Sequence, residues 1–400
     1  MIEAPLFQPQ TLRAVVRRAA GGCPISTPYK LYGAEVSLFS GKARAYLRFK
    51  NIPFEEIFAT RKIIDEVLQP ATGLKMVPVV QTPEGEFLQD TSVIIDTLEE
   101  RFPEPSVLPT GPVQRLVALL LEAYGDEWLL MPAMHYRWAY KRKNLLGILR
   151  AFGEIVAPGA PRLLHPIAGL PIALYFGGAY GTVLGINRHT RPEIERTYEA
   201  FLARFDAHLE HTPYLLGSRP SIADYGFIGP LYAHLYRDPA PGELMRRLAP
   251  RVADWVERVE HPTGDSGEFL GDDQVPETLH PILRTLFSEY APIALDTMQR
   301  TAQYCAEHPD RTRFPRFIGS HEFRIGQARA ARYVTPYTQW MWQRPLRWYQ
   351  GLQDTNRERA DALLSQVGGL EAMAVSPEVW VGREGGRVVP VDGPSSAPKP

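Results

Sequence analysis

Between Tyr29 and Phe102 the apolar residues alternate between short runs and helical spacing, and that alternation leaves few folds open. Tyr29 to Tyr32 suits a buried strand, after which Phe39, Ala43, Tyr46 and Leu47 recur at helical spacing until Asn51-Ile52-Pro53 ends the helix. Phe54 to Phe58 reads as a second strand, and Arg61 to about Leu68 as a less regular helix. Val77-Pro78-Val79-Val80 is a third strand led by a proline, Gly85 sits in a turn, and Phe87-Leu88 starts a fourth strand. Asp90-Thr91 opens a helix that carries Ile94, Ile95 and Leu98. The order β-α-β-α-β-β-α predicts an α/β thioredoxin-like domain.

After the proline-rich link Phe102 to Pro112 the pattern turns helical. Val113, Leu116, Val117, Leu120, Leu121 and Tyr124 form one apolar stripe. Further helices are predicted over Pro192–His211 and Leu248–Val259, and another starts at Ser221, where Asp224 three residues on can complete a capping box. A loop over His261–Gln274 precedes renewed helical spacing from Thr278. The expected organisation is therefore an N-terminal tail (1–28), a thioredoxin-like domain (29–108), an all-α helical domain (109–262), a mainly helical C-terminal extension (263–375) and a weakly structured tail (376–400), with Gly393–Pro400 expected to be disordered.

Length supports this division, since 400 residues exceed one ordinary domain. A net charge of −1 gives no global field to draw nucleic acid or anionic lipid, and the arginines and aromatics interleaved between Phe314 and Tyr349 read as packing. Cys23 and Cys305 are too few and too far apart in sequence for a disulfide framework, and a reducing, cytoplasmic setting fits. Thr11 to Ala20 carries three arginines and reads as a solvated or disordered lead-in. Leu163 to Ile186 has no Asp, Glu, Lys or Arg, but it contains Pro166, Pro171 and five glycines. It reads as broken helices packed on protein, not as a membrane span. His208 and His211 share a helix face without metal-ligand spacing, and no Gly-rich phosphate loop appears.

Four motifs carry a specific resemblance. Ser37-Leu38-Phe39-Ser40-Gly41-Lys42-Ala43-Arg44 resembles the strand-to-helix turn of serine-type glutathione transferases. Val77-Pro78 resembles their strand-leading Val-Pro, and Asp90-Thr91 through Leu98-Glu99-Glu100-Arg101-Phe102-Pro103 resembles their Glu-Ser helix. Ser221 to Asp224 sits where that family has its helical-domain capping box. Each motif alone is weak; in this order and spacing, over about residues 29 to 262, they point to the glutathione transferase superfamily, with the extension left unassigned.

The resemblance implies a glutathione transferase that passes glutathione to an alkyl or aryl acceptor in detoxification. Glutathione would be the co-substrate, a small hydrophobic electrophile the second substrate and a homodimer the assembly, with no metal and no nucleic acid. Such an enzyme must ionise a thiol whose ordinary pKa is about 8.5. A hydroxyl donor at a helix N-terminus, with its positive end, suits that task. Ser37 stands at such a place and the resemblance gives it the thiol; Ser40 and Tyr32 are rivals, and Ser37 could simply cap the helix. The resemblance further implies a cis bond before Pro78, with the Val77 backbone pairing with the cysteinyl unit, and Asp90 and Thr91 at the γ-glutamyl end. Lys75 is the candidate for the glycyl carboxylate, although Met76 stands where plant serine-type relatives carry their lysine; Arg61 and Lys62 are substitutes. Tyr124, Trp128, Tyr136 and Trp138 are candidate linings of an interdomain pocket that the Leu163–Ile186 segment would roof. Conjugation, ether cleavage, isomerisation and peroxide reduction all stay open, and so does a non-catalytic scaffold whose extension holds partners.

Overall fold

A computed structural model describes residues 27–393; Thr11 to Ala20, Cys23 and all but the first residue of Gly393–Pro400 lie outside the described residues. The first domain holds β1 (Tyr29–Gly33), α1 (Leu38–Phe49), β2 (Phe54–Phe58), the short turns α2 (Arg61–Ile63) and α3 (Gln69–Thr72), β3 (Val79–Gln81), β4 (Phe87–Gln89) and α4 (Thr91–Arg101). The sheet order is β2-β1-β3-β4. β1 runs parallel to β2 and antiparallel to β3, which is antiparallel to β4. Successive side chains of a strand face opposite ways, and both faces are covered. Leu31 and Val80 join the main core with Tyr46, Leu47, Ile94 and Leu98. Tyr32 and Val79 turn to the other face, against Leu68 of the irregular helical stretch.

The helical domain follows: α5 (Pro112–Ala123), α6 (Leu130–Ala139), α7 (Lys141–Val156), α8 (His165–Val183), α9 (Arg191–His208), α10 (Ile222–Pro230), α11 (Pro239–Leu248) and α12 (Pro250–Glu260). The backbone beyond α5 passes so close to α10 that a Cβ on Gly125 would lie 2.5 Å from the Gly226 carbonyl carbon, so only glycine fits there. The predicted capping box forms. Asp224 Oδ2 accepts from the Ser221 backbone N–H at 2.8 Å and from its hydroxyl at 2.9 Å, while Oδ1 accepts from Trp255 Nε1 at 3.0 Å. Leu163–Ile186 was expected as broken helices, yet α8 runs unbroken through Pro171.

The extension contains α13 (His280–Thr285), α14 (Ala291–Glu307), the hairpin β5 (Ser320–Ile325)–β6 (Ala328–Tyr333), α15 (Pro336–Gly351), α16 (Asp354–Val367) and α17 (Leu370–Ala374). The span 376–400, expected to be weakly structured, instead holds a second hairpin, β7 (Trp380–Glu384)–β8 (Arg387–Val391). Its turn glycines, Gly385 and Gly386, both have positive φ, the conformation a tight hairpin turn requires. The extension is welded to the two-domain body. Asp273 accepts the backbone N–H groups of Val113 and Gln114 at the start of α5, and Trp348 Nε1 donates to the Pro112 carbonyl at 2.8 Å. Gln343 of α15 exchanges two hydrogen bonds with the Val381 backbone and so fixes the last hairpin.

Where α12 ends against α1, Glu260 is buried; Arg48 reaches its Oε2 at 3.1 Å, and Oε1 has no partner. Burial pushes this carboxyl up to about 7, against the opposing pull of Arg44 and Arg48. The folded state therefore holds the proton more tightly than the unfolded chain does. The resulting stabilisation is full below the ordinary carboxylate pKa of about 4.3 and is lost as pH rises through about 7. Glu260→Gln, which mimics the protonated form, is expected to flatten the decline in unfolding free energy between about pH 5 and about pH 8, read by urea denaturation, by an amount on the order of 3 kcal/mol. An unchanged slope would remove Glu260 as its source.

Candidate active site

The site is built where three parts of the chain meet. A cavity of about 630 Å³ is bordered by the β3 lead-in and the α4 start from the first domain, by Glu127, Leu130 and the end of α8 from the second, and by both hairpins of the extension. Five residues singled out from the sequence border it: Lys75, Val77, Pro78, Asp90 and Thr91. The Val77–Pro78 bond is cis.

Asp90 caps α4 and is the most heavily used of these groups. Its backbone takes φ +85°, and Oδ1 accepts from the Ser92 backbone N–H at 3.0 Å. Its Oδ2 accepts from the Tyr337 hydroxyl at 2.7 Å and from Arg383 Nη1 at 2.8 Å, both from the extension. Arg383 also donates to Gln89 Oε1 at 2.9 Å and lies over the rings of Tyr337 and Trp340. Lys75 is exposed and pairs with Asp65 at 2.6 Å.

Ser37 is the N-cap of α1, its Oγ accepting from the Ser40 backbone N–H at 3.3 Å. It is half-buried and lies outside the residues that border the cavity, whereas Phe39, two residues on, borders it. The loop that carries Ser37 is pinned from the helical domain. Arg137 donates to the Val36 carbonyl at 3.0 Å while forked onto Asp238, and Arg237 donates to the Glu35 carbonyl. The two rivals are committed elsewhere. Ser40 is fully buried with its Oγ accepting from the Ala34 N–H at 3.2 Å. Tyr32 faces the opposite side of the sheet, where its hydroxyl donates to Gln81 and its ring stacks on Phe87; burial, with help from Glu55, pushes its phenol up.

The aromatic lining expected from the sequence is corrected. Tyr124, Trp128 and Tyr136 are buried core, and Trp138 packs against Gly177 of α8. Helical spacing serves a core and a pocket alike, and here the core takes those rings. Glu127 and Leu130, on the same stretch, border the cavity instead. Glu127 accepts from the Thr338 hydroxyl at 2.6 Å, and burial raises its carboxyl above the usual range against that bond. Tyr175, Val183 and Leu184 supply part of the roof, as expected of that segment. The extension's contribution was not read from the sequence. Glu384-Gly385-Gly386-Arg387 between two alternating runs was the available signal for the hairpin that carries Arg383. His208 is buried, its Nδ1 2.7 Å from the Thr278 hydroxyl, and no cluster of metal-ligating side chains occurs among the described residues.

A family model described as glutathione S-transferase, N-terminal domain, matches residues 31–106, and one described as glutathione S-transferase, C-terminal domain, matches residues 188–258. These two segments of the chain are those of the glutathione transferase superfamily. A glutathione S-transferase of Pseudomonas putida is 34% identical over 104 residues, 26% of this chain and 46% of that protein. A maleylacetoacetate isomerase of Pseudomonas aeruginosa is 35% identical over 92 residues, 22% of this chain and 43% of that protein. The chain spans about half the length of the curated relatives it matches. Among solved structures, the β-etherase LigF of Sphingobium covers 60% of this chain and 97% of its own at 21% identity and a TM-score of 0.44. A glutathione S-transferase of Methylobacterium radiotolerans, solved in complex with glutathione sulfonate, covers 61% and 96% at 21% identity and a TM-score of 0.40.

Proposed function

We propose that this chain is an enzyme that binds glutathione in the three-part cavity and uses Ser37 to hold the thiol as thiolate for attack on a small hydrophobic electrophile. One observation carries the reading: Lys75, Val77, Pro78, Asp90 and Thr91, assigned to glutathione from sequence motifs spread over seventeen positions, all border one cavity. Ser37 sits at the positive end of α1, with its acceptor lone pair used and its proton making no hydrogen bond among the described residues. A hydroxyl in that state can donate to a sulfur anion, and the helix end adds to the stabilisation. The thiolate would attack the electrophilic carbon, and the leaving group would depart with the electron pair of the broken bond.

Within this reading the γ-glutamyl ammonium belongs beside Asp90 and its carboxylate at the positive end of the α4 dipole. No metal takes part, and the cytoplasm is the proposed setting. A homodimer is proposed through surface of the two-domain body that the extension leaves uncovered. Calorimetric titration with glutathione and a thiol-conjugation assay test the reading together: saturable binding with turnover supports it, and absence of binding gives way to the scaffold alternative.

Arg383 makes a sharper test. Its guanidinium lies on Asp90, where it repels an incoming ammonium. Arg383→Ala is expected to tighten glutathione binding roughly tenfold, a change of about 1.4 kcal/mol read by the same titration. Weaker binding would mean that Arg383 holds the ligand itself.

A further inference from the structure

We propose that the α7–α8 hairpin is a docking surface for an anionic lipid bilayer. The hairpin falls between the two matched family segments, 31–106 and 188–258. Its second helix presents apolar side chains to solvent. Leu163 is 87% exposed, Ile167 71% and Leu174 66%. Ile167, Leu170 and Leu174 step by three and four, which places them on one face of α8, and Leu163 stands in the turn just before it. The opposite face is closed against α7, since a Cβ on Gly169 would lie 2.1 Å from the Leu149 carbonyl oxygen. The stripe is therefore the side of α8 that none of the described residues covers. A contiguous exposed apolar face on an otherwise well-buried fold marks an interaction site.

Charge selects the occupant. From Lys141 to Arg188 the chain carries six lysines and arginines against a single acid, Glu154, in a protein whose net charge is −1. The hairpin is thus strongly basic and the remainder of the molecule acidic. Arg142, Arg150 and Arg162 are exposed and make no ion pair among the described residues, while Lys143 pairs with Glu243. An apolar stripe on a basic element matches the interface of a bilayer with negatively charged headgroups, where acyl-chain contact and phosphate attraction act together. A second copy of this chain would have to bring two basic hairpins face to face. Among the described residues no helix is long and apolar enough to cross a membrane, so the geometry is one of lying on the surface. Tyr175, 56% exposed on α8, also borders the cavity, so docking would set the cavity beside the lipid.

The test uses the full chain and extruded vesicles, in sedimentation at low and high salt. The expected result is partitioning onto phosphatidylcholine vesicles that contain phosphatidylglycerol, weakened by salt and absent on phosphatidylcholine alone. The double variant Ile167→Asp, Leu174→Asp should lose it, with circular dichroism and melting temperature unchanged because both side chains are exposed. Arg150→Glu, Arg162→Glu, which leaves the apolar stripe intact, should weaken partitioning roughly tenfold or more. No partitioning at low salt, equal binding to neutral vesicles, or full binding by either variant overturns the proposal. So does a dimer by light scattering that Ile167→Asp, Leu174→Asp dissociates without any vesicle binding, which would assign the stripe to a second copy.

Discussion

Replacing Glu122 by alanine is expected to destabilise the protein by about 3–5 kcal/mol, the largest effect of any single substitution considered for this chain. Glu122 is fully buried on α5 and ties three parts of the chain together. Its Oε1 accepts from Lys42 Nζ at 2.9 Å and from the Ser92 hydroxyl at 2.7 Å, both in the first domain. Its Oε2 accepts from Arg344 of the extension at 3.2 Å, and Arg344 is also held by Asp96 of α4. Burial alone would push the Glu122 carboxyl up; Lys42 and Arg344 hold it below its ordinary value. Asp126, the second partner of Lys42 at 2.6 Å, is pushed up to about 7 by burial against the pull of Lys42. Removing Glu122 would leave Arg344 with Asp96 alone and Lys42 with Asp126 alone. The cost comes from buried charge left uncompensated, not from the modest net worth of an intact pair. The urea midpoint and protease resistance of the extension should fall together in Glu122→Ala. A loss under about 1 kcal/mol in the single variant would show that the network does not bind the three parts.

The second large effect concerns chemistry. Ser37→Ala is expected to lower kcat/KM for thiol conjugation by about 10²–10³, the usual consequence of removing one preorganised donor to a developing or resident anion. The pH–rate profile should move with it. An ionisation lowered by about two units corresponds to about 2.7 kcal/mol of thiolate stabilisation, and its loss returns the thiol toward its ordinary pKa of about 8.5. Because Ser37 also caps α1, the variant should lose about 1 kcal/mol of stability, which by itself leaves the pH profile in place. Ser37→Thr, which keeps the hydroxyl, should restore both. A Ser37→Ala enzyme with lower stability but an unmoved pH profile would reduce Ser37 to a cap and send the search for the thiol's partner to the groups that border the cavity.

The first domain was legible because its signals are local. Strand and helix periods, the breaker Asn51-Ile52-Pro53 and the helix start at Asp90-Thr91 each occupy a few adjacent residues, and β2 falls on the predicted Phe54–Phe58. The Ser221–Asp224 box is equally local and formed as read. The aromatic lining failed for a different reason. Tyr124 and Trp128 satisfy helical spacing whether they face a core or a cavity, and only the neighbours contributed by α9, α10 and the extension, such as Phe201, Phe227 and Phe323, decide between the two. The terminal hairpin was missed because its strands are short and mixed, and most of their order is supplied by α15 through Gln343.

From its own residues the chain specifies which segments become strands and helices and where their caps and turns fall, since propensity, capping and turn chemistry act over a few positions. Only the folded arrangement assigns partners to isolated charges. Lys42 and Glu122 stand eighty positions apart, and Asp90 and Arg383 two hundred and ninety-three. No local pattern encodes such pairings, because the energy that selects them is the desolvation cost of leaving each charge alone, and that cost exists only once the surrounding chain has excluded water.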